Sequence, residues 1–185
     1  MVDTRIRFGA PRYTGIAMGF HWLLALLILG SLGFGLYMTD LPFSPARIRQ
    51  YNWHKWAGIT ILALSALRLL WRLTHPAPKL PPSTPPWQQK TSHAAHVLLY
   101  ALFFALPLAG WAYSSAAGFT VVYFGVLPLP DWVPKDPDLA KTLKLVHMVL
   151  GKALIVLILV HVAAALKHQF IDRDGLLRRM MPSGR

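Results

Sequence analysis

Two histidines, His147 and His161, lie fourteen residues apart in an almost wholly apolar stretch from Lys144 to Phe170. Fourteen residues are close to four helical turns, so in a helix both imidazoles project from one face, about 21 Å apart along the axis. His21 and His54 lie within two other apolar stretches. A histidine inside such a stretch is a functional hypothesis by default, because removing its ring nitrogens from water costs free energy.

Four apolar stretches carry these histidines, and each is long enough to cross a bilayer as a helix. We expect the helices at about 16–38, 52–73, 93–114 and 143–168. The stretches lack the polar stripe that each helix of a soluble four-helix bundle would show. The sequence therefore predicts an all-α integral membrane protein, a four-helix bundle that forms a single domain over residues 1–185.

Basic residues are divided unevenly between the two sides of this bundle. The termini and the second connection carry twelve, namely Arg5, Arg7, Arg12, Arg68, Arg72, Lys79, Lys90, Lys167, Arg173, Arg178, Arg179 and Arg185. The other side carries six, namely Arg47, Arg49, Lys55, Lys135, Lys141 and Lys144. The positive-inside rule then predicts that both termini are cytoplasmic. The basic excess is interpreted as topology signals and contacts with anionic lipid, and no nucleic-acid partner is expected.

Alternating helix directions place the histidines at two depths, where they form pairs. His21 and His161 lie near the cytoplasmic ends of their helices, and His54 and His147 lie near the outer ends. Each pair can be a hydrogen-bonded polar core, a metal site or a pair of axial ligands. Four histidines paired at two depths favour ligation over a satisfied polar core.

The type of ligated group follows from the number of donors at each depth. Zinc normally takes four donors, often thiolates, but each depth offers two imidazoles, with His93 or His96 in addition on the inner side only. Two axial imidazoles on opposite faces of a porphyrin fit better, because the porphyrin supplies four nitrogens itself. The chain has no cysteine, so covalent haem attachment and cysteine-ligated iron–sulfur clusters are excluded.

The fourteen-residue interval recurs on two other helices. Arg68 lies fourteen residues beyond His54, near the inner level, where it could neutralise a haem propionate. Gly35 lies fourteen residues beyond His21 and, with Gly30 and Gly33, would leave room for a large flat group at the outer level. Small residues also serve plain helix packing in membranes, so both interpretations of the glycines stay open.

Several segments resemble the bacterial cytochrome b561 family: GFHWLLALLI, NWHKWAGITILALSALRLLWRL, HAAHVLLYALFFALPLAGW, HMVLGKALIVLILVHVAAALKHQF and the final LLRRMMP. The resemblance covers nearly the whole chain. It implies a small di-haem b cytochrome of the bacterial inner membrane, with ligand pairs at His21 with His161 and at His54 with His147. A characterised member of that family oxidises superoxide and reduces ubiquinone.

The expected function is therefore electron transfer through two non-covalent haem b groups, from superoxide or another periplasmic donor to ubiquinone. Lys55, Lys141 and Lys144 are expected to form a basic funnel over the outer haem, although Asp136 and Asp138 would offset the field of the last two. No obligate protein partner is expected. The alternatives are a cytochrome b anchor of a larger dehydrogenase or hydrogenase, and a proton or ion transporter that uses its histidines.

Three further residues have two interpretations each. Lys152 lies within the fourth span and either snorkels to the outer interface or pairs with an outer propionate. His93 and His96 lie at the inner end of the third span. They either line a quinone pocket or move protons, or they only cap the helix and form hydrogen bonds there.

Overall fold

The fold comes from a computed structural model that describes residues 12–82 and 84–181. Four helices dominate it: α1 at Gly15–Thr39, α2 at Pro45–Thr74, α3 at Pro86–Ala116 and α4 at Pro137–Lys167. All four are long and apolar enough to cross a membrane, which confirms the predicted four-helix membrane bundle. Arg5, Arg7 and Arg185 of the charge count lie outside the described residues.

Three helices begin earlier than the apolar stretches do: α2 and α3 by seven residues and α4 by six. A proline stands at the start of each, where its missing N–H removes no helical hydrogen bond. Ser44 caps α2 by accepting from the N–H of Arg47 at 3.2 Å. Asp136 caps α4 by accepting from two backbone N–H groups, at 2.8 and 3.0 Å. The predicted bounds followed hydropathy and so missed these polar first turns.

The buried core is a thin apolar layer in the middle of the bundle. Its members are Leu24, Ile28, Ile61, Leu99, Phe103 and Leu154. Leu154 is 2% exposed and lies seven residues from both His147 and His161, and Ile28 and Ile61 lie seven residues beyond His21 and His54. The layer therefore separates the two histidine levels by two helical turns on each side.

The connection from α3 to α4 contains a β-hairpin, with β1 at Val122–Tyr123 and β2 at Leu127–Pro128. Gly125, at φ +75°, takes the left-handed conformation that its three-residue turn requires. The hairpin packs on α2, where the Trp56 indole N–H donates to the Val122 carbonyl at 2.7 Å. We call this side of the bundle the hairpin end.

Both described chain ends meet at the opposite side, which we call the terminal end. After α4 come a π-helical turn at His168–Asp172 and a 3-10 turn at Leu177–Arg179. The backbone N–H of Tyr13 donates to the Arg179 carbonyl at 3.3 Å, and the Trp22 indole N–H donates to the Met180 carbonyl at 2.9 Å. The Arg12 guanidinium donates to the carbonyls of Arg178 and Met181. These contacts form a terminal clasp between residues 12–22 and 178–181.

Candidate functional site

The structure brings the four histidines together in the two predicted pairs. The ring centres of His54 and His147 are 6.1 Å apart near the hairpin end, with the ring planes at 90°. Those of His21 and His161 are 6.3 Å apart near the terminal end, at 58°. One helix, α4, supplies a histidine to both levels, and α1 and α2 supply the partners.

The spacing of the rings separates ligation from simple hydrogen bonding. A metal–imidazole bond is about 2.0 Å and a ring centre lies about 1.1 Å from its nitrogen, so two rings on opposite sides of one iron have centres about 6.2 Å apart. Two rings joined by a direct hydrogen bond would have centres about 5 Å apart. No hydrogen bond joins the rings of either pair in the part of the chain that the structure describes. Both spacings fit two axial ligands of one iron.

Helix α1 holds His54 through two residues that lie one turn apart. The Ser31 hydroxyl is 3.4 Å from Nδ1 of His54. At Gly35, a Cβ atom would lie 3.0 Å from Cε1 of the same ring, so only glycine leaves the imidazole its full space. Gly30 and Gly33 have no neighbour within 4 Å of such an atom. Of the three glycines, Gly35 alone touches a histidine.

Helix α3 holds His147 in the same way. A Cβ atom at Gly110 would lie 2.8 Å from Cε1 of His147, which is closer than real Cβ atoms approach. Because Gly110 has no side chain, the ring reaches the Leu106 carbonyl one turn earlier, and Nδ1–H donates to it at 3.0 Å. A proton on Nδ1 leaves the Nε2 lone pair free to bind a metal.

Gly110 was not predicted from the sequence, although its spacing from a histidine on α3 could have indicated it. Gly110 lies fourteen residues after His96 on α3, the same interval that joins His21 to Gly35 on α1. The partners Ser31 and Leu106 could not have been found in this way, because a hydroxyl and a backbone carbonyl have no distinctive spacing.

Charged and ionisable groups surround the pair at the terminal end. Nη2 of Arg68 lies 3.2 Å from Nδ1 of His21, and its guanidinium lies over the Tyr100 ring at 5.4 Å. A guanidinium only donates, whereas an imidazole that binds iron through Nε2 keeps its proton on Nδ1. Ligation by His21 through Nε2 therefore requires Arg68 to turn to another acceptor, and a propionate would be one.

His96 lies beside His161, with the ring centres 5.7 Å apart. It is exposed, as is His93 one turn earlier. Lys152 is also exposed, and it forms no ion pair with the residues that the structure describes. Both earlier interpretations of each residue remain open.

The three lysines of the predicted funnel do not meet in one cavity. Nζ of Lys55 donates to the Phe119 carbonyl at 3.4 Å and lies 5.7 Å from the centre of that ring, beneath the outer connection. Lys141 and Lys144 instead line a cavity of about 290 Å³ with Lys135 and Tyr113. Lys141 also pairs with Asp138 at 2.9 Å, and both side chains are exposed. Of the three predicted lysines, Lys141 and Lys144 therefore share a cavity with Lys135, and Lys55 is not among its lining residues.

Comparison with known proteins agrees with this arrangement. A sequence profile described as prokaryotic cytochrome b561 matches residues 12–183. The chain belongs to the prokaryotic cytochrome b561 family. It is 33% identical over 171 residues to cytochrome b561 homolog 2 of Escherichia coli (strain K12), covering 92% of this chain and 91% of that protein. It is 32% identical over 179 residues to the probable superoxide oxidase CybB of Yersinia pestis, covering 94% and 98%.

Membership of the cytochrome b561 family makes the chain a multi-pass membrane protein of electron transfer that uses haem b. The residues present fit such a group. The histidine pairs have the spacing of two imidazoles that would hold one iron, and Gly35 and Gly110 give the rings of His54 and His147 the space to take these positions. Two buried polar atoms at the hairpin end, Oε1 of Gln50 and Nε1 of Trp111, have no hydrogen-bond partner among the described residues. Gln50 lies one turn from His54. With its amide flipped, the NH2 group would occupy the position of Oε1 and could donate to a haem propionate.

Proposed function

We propose that the chain binds two b haems non-covalently, one between His54 and His147 and one between His21 and His161, and carries electrons across the bacterial inner membrane from superoxide to ubiquinone. The observation that carries this proposal is the pairing of four imidazoles at two depths, with ring centres 6.1 and 6.3 Å apart. An apolar layer around Leu154 lies between the two depths. A transporter that uses titrating histidines has no need for this spacing.

When bound, a haem held by two imidazoles would supply one-electron transfer. The chain's own part is to hold the ligands: Leu106 fixes the tautomer of His147, and Ser31 orients His54. Arg68, whose guanidinium lies 3.2 Å from His21, would neutralise a propionate at the terminal end. In the overall reaction two superoxide anions each lose one electron and leave as dioxygen, and one ubiquinone takes up both electrons with two protons to become ubiquinol.

The cavity formed by Lys135, Lys141 and Lys144 supports a small anion as the donor. Lys144 lies one turn before His147 on α4, so the cavity is at the same end as the outer histidine pair. The stem of Lys135 is held against Gly118, where a Cβ atom would lie 2.9 Å from its Cε. A fixed positive field near the cofactor raises the encounter rate of an anion. The name of the Yersinia pestis relative agrees with superoxide as that anion.

The donor can be tested by stopped-flow mixing of the purified protein with a superoxide source. We expect rapid haem reduction that slows as salt rises, because screening shortens the reach of the field. Lys144→Glu and Lys135→Glu should each lower the association rate several-fold, whereas Arg49→Glu, with the same charge change at the same end, should not. Quinone reduction by chemically reduced protein should be unchanged in all three variants. Absence of haem reduction by superoxide would favour the alternative of an anchor subunit for a larger dehydrogenase.

The direction of transfer depends on the orientation of the bundle. The proposal places the terminal end in the cytoplasm, because twelve of the basic residues flanking the spans are on that side and six on the other. A reporter fused after Arg185 should be active only in its cytoplasmic form. Activity of the periplasmic form would invert the orientation and place the lysine cavity inside the cell.

A further inference from the structure

A second cavity lies at the terminal end, beyond the last turn of α4. It has a volume of about 320 Å³ and is lined by Gln169, Phe170, Arg173, Gly175 and Arg178. Gln169 lies eight residues after His161, about 12 Å further along the helix axis. The cavity is therefore separate from the histidine pairs, and the proposed electron transfer does not use it.

The acidic residues of this segment do not neutralise the cavity, because other groups already occupy them. Lys167 donates to both carboxylate oxygens of Asp172, at 2.8 and 2.6 Å. Nδ1 of His168 lies 2.6 Å from Asp174. In the described part of the chain, neither Arg173 nor Arg178 forms an ion pair. Among the described residues that line the cavity there are thus two arginines and no carboxylate.

Two exposed apolar side chains lie next to this cavity, where the backbone changes direction. Arg173, at φ +53°, and Gly175, at φ +75°, turn the chain after the π-helical turn. Phe170 and Ile171, inside the π-helical turn, are 67% and 73% exposed. They are among the last residues of the candidate membrane span Pro137–Asp172, so we place them at the level where headgroups meet acyl chains. Cationic and apolar groups therefore adjoin at the membrane interface.

The geometry points to a binding site for a phosphate-bearing anion, supplied by the headgroup of one anionic phospholipid in the leaflet at the terminal end. Guanidinium groups bind phosphate oxygens in a fork geometry. A phospholipid also brings acyl chains to Phe170 and Ile171, which free phosphate does not. An anionic headgroup such as phosphatidylglycerol keeps the net negative charge that the two arginines favour, whereas phosphatidylcholine does not.

Native mass spectrometry of the haem-loaded protein, released from nanodiscs of phosphatidylcholine mixed with phosphatidylglycerol, tests this site. Wild type should retain one phosphatidylglycerol per chain. The double variant Arg173→Gln, Arg178→Gln should lose it, with affinity falling about five-fold per arginine. The double variant Arg72→Gln, Lys79→Gln removes the same charge at the same end and should retain the lipid. Haem content and spectrum check that every variant is folded.

Two results would overturn the assignment. Equal retention of phosphatidylglycerol by the wild type and both double variants would show that Arg173 and Arg178 do not form a specific lipid site. Stabilisation against heat by inorganic phosphate in pure phosphatidylcholine, with no further effect of phosphatidylglycerol, would assign the cavity to a soluble anion. Loss of lipid from the Arg173, Arg178 variant alone, with no response to inorganic phosphate, supports the phospholipid.

Discussion

The two histidine levels have nearly the same ring spacing but opposite surroundings. At the hairpin end, His54 and His147 lie against glycines, and their Nδ1 atoms contact a hydroxyl and a backbone carbonyl. At the terminal end, His21 lies beside Arg68 and His161 beside His96. At the first level, two glycines give the rings space, and the partners of Nδ1 are uncharged. At the second level, the charged guanidinium of Arg68 lies beside His21.

This difference gives the proposed electron path a direction. A neutral acceptor on Nδ1 increases the basicity of the imidazole and so favours the oxidised metal. A positive charge near the second level favours the reduced form, because reduction adds a negative charge. We therefore expect the haem at the terminal end to have the higher reduction potential, so that electrons pass downhill from the hairpin end.

Replacing one of the four histidines should have the largest effect on haem content. It also distinguishes the two levels, because each variant should lose only one haem. His147→Ala or His54→Ala should abolish the haem at the hairpin end, and His161→Ala or His21→Ala the haem at the terminal end. Haem per chain then falls by about half in each variant. Quantitative haem extraction with reduced absorption spectra measures this. Full haem content in His161→Ala would contradict the pairing.

Gly110→Ala should have the next largest effect on haem binding, and that effect should be confined to the hairpin end. The new methyl group would lie 2.8 Å from Cε1 of His147 and would displace the ring from the Leu106 carbonyl. We expect the low-spin spectrum of that haem to be weakened or lost. Gly35→Ala, with 3.0 Å to His54, should have a smaller effect. Gly30→Ala is the matched control, since no neighbouring protein atom lies within 4 Å: unchanged haem content would support the contact with the ring, and a loss of haem would mean that the glycine leaves room for the haem itself.

Arg68→Gln should change the terminal end without removing its haem. Loss of the positive charge should lower the reduction potential of that haem by on the order of tens of millivolts, while the other potential stays the same. Potentiometric titration followed by absorbance resolves the two values. Arg72→Gln, one turn further along α2, is the control. An equal fall of both potentials would mean that Arg68 acts through net charge and not through its position.

The smallest expected effects come from two tryptophans that hold the covering segments. Trp56 donates to the Val122 carbonyl in the hairpin, and Trp22 donates to the Met180 carbonyl in the clasp. Replacing either with Phe removes one hydrogen bond and should lower the free energy of unfolding by about 1 kcal/mol. Thermal denaturation followed by haem absorbance measures this. A change in the resting spectrum of either variant would show that the covering segment also positions a ligand.

The spans and the ligand candidates could be predicted from the sequence because both depend on simple periodicities. Apolar length predicts the helices, and the fourteen-residue interval between His147 and His161 predicts two levels. The same interval led to Gly35, which touches His54, and to Arg68, which lies beside His21. Their roles toward a haem remain predictions.

Features that depend on the path of a connection could not be predicted. Lys55 is near His54 in sequence, but Phe119 of the hairpin connection covers it, and that contact has no periodic signal. Lys135 joins Lys144 only because the chain turns at Gly118 and runs back to the start of α4. The first turns of α2 and α4 were missed because Ser44 and Asp136 act through side-chain hydrogen bonds and not through hydropathy.

The terminal clasp has a consequence for biogenesis. Trp22 lies in the first turns of α1, yet its partner Met180 is synthesised only after all four helices. During membrane insertion α1 therefore lacks this contact until the ribosome has added about 160 further residues. At ordinary translation rates this takes several seconds or more. Closure of the clasp is then a late assembly event, which makes a nascent chain halted after α4 distinguishable from a finished one by the solvent accessibility of Trp22.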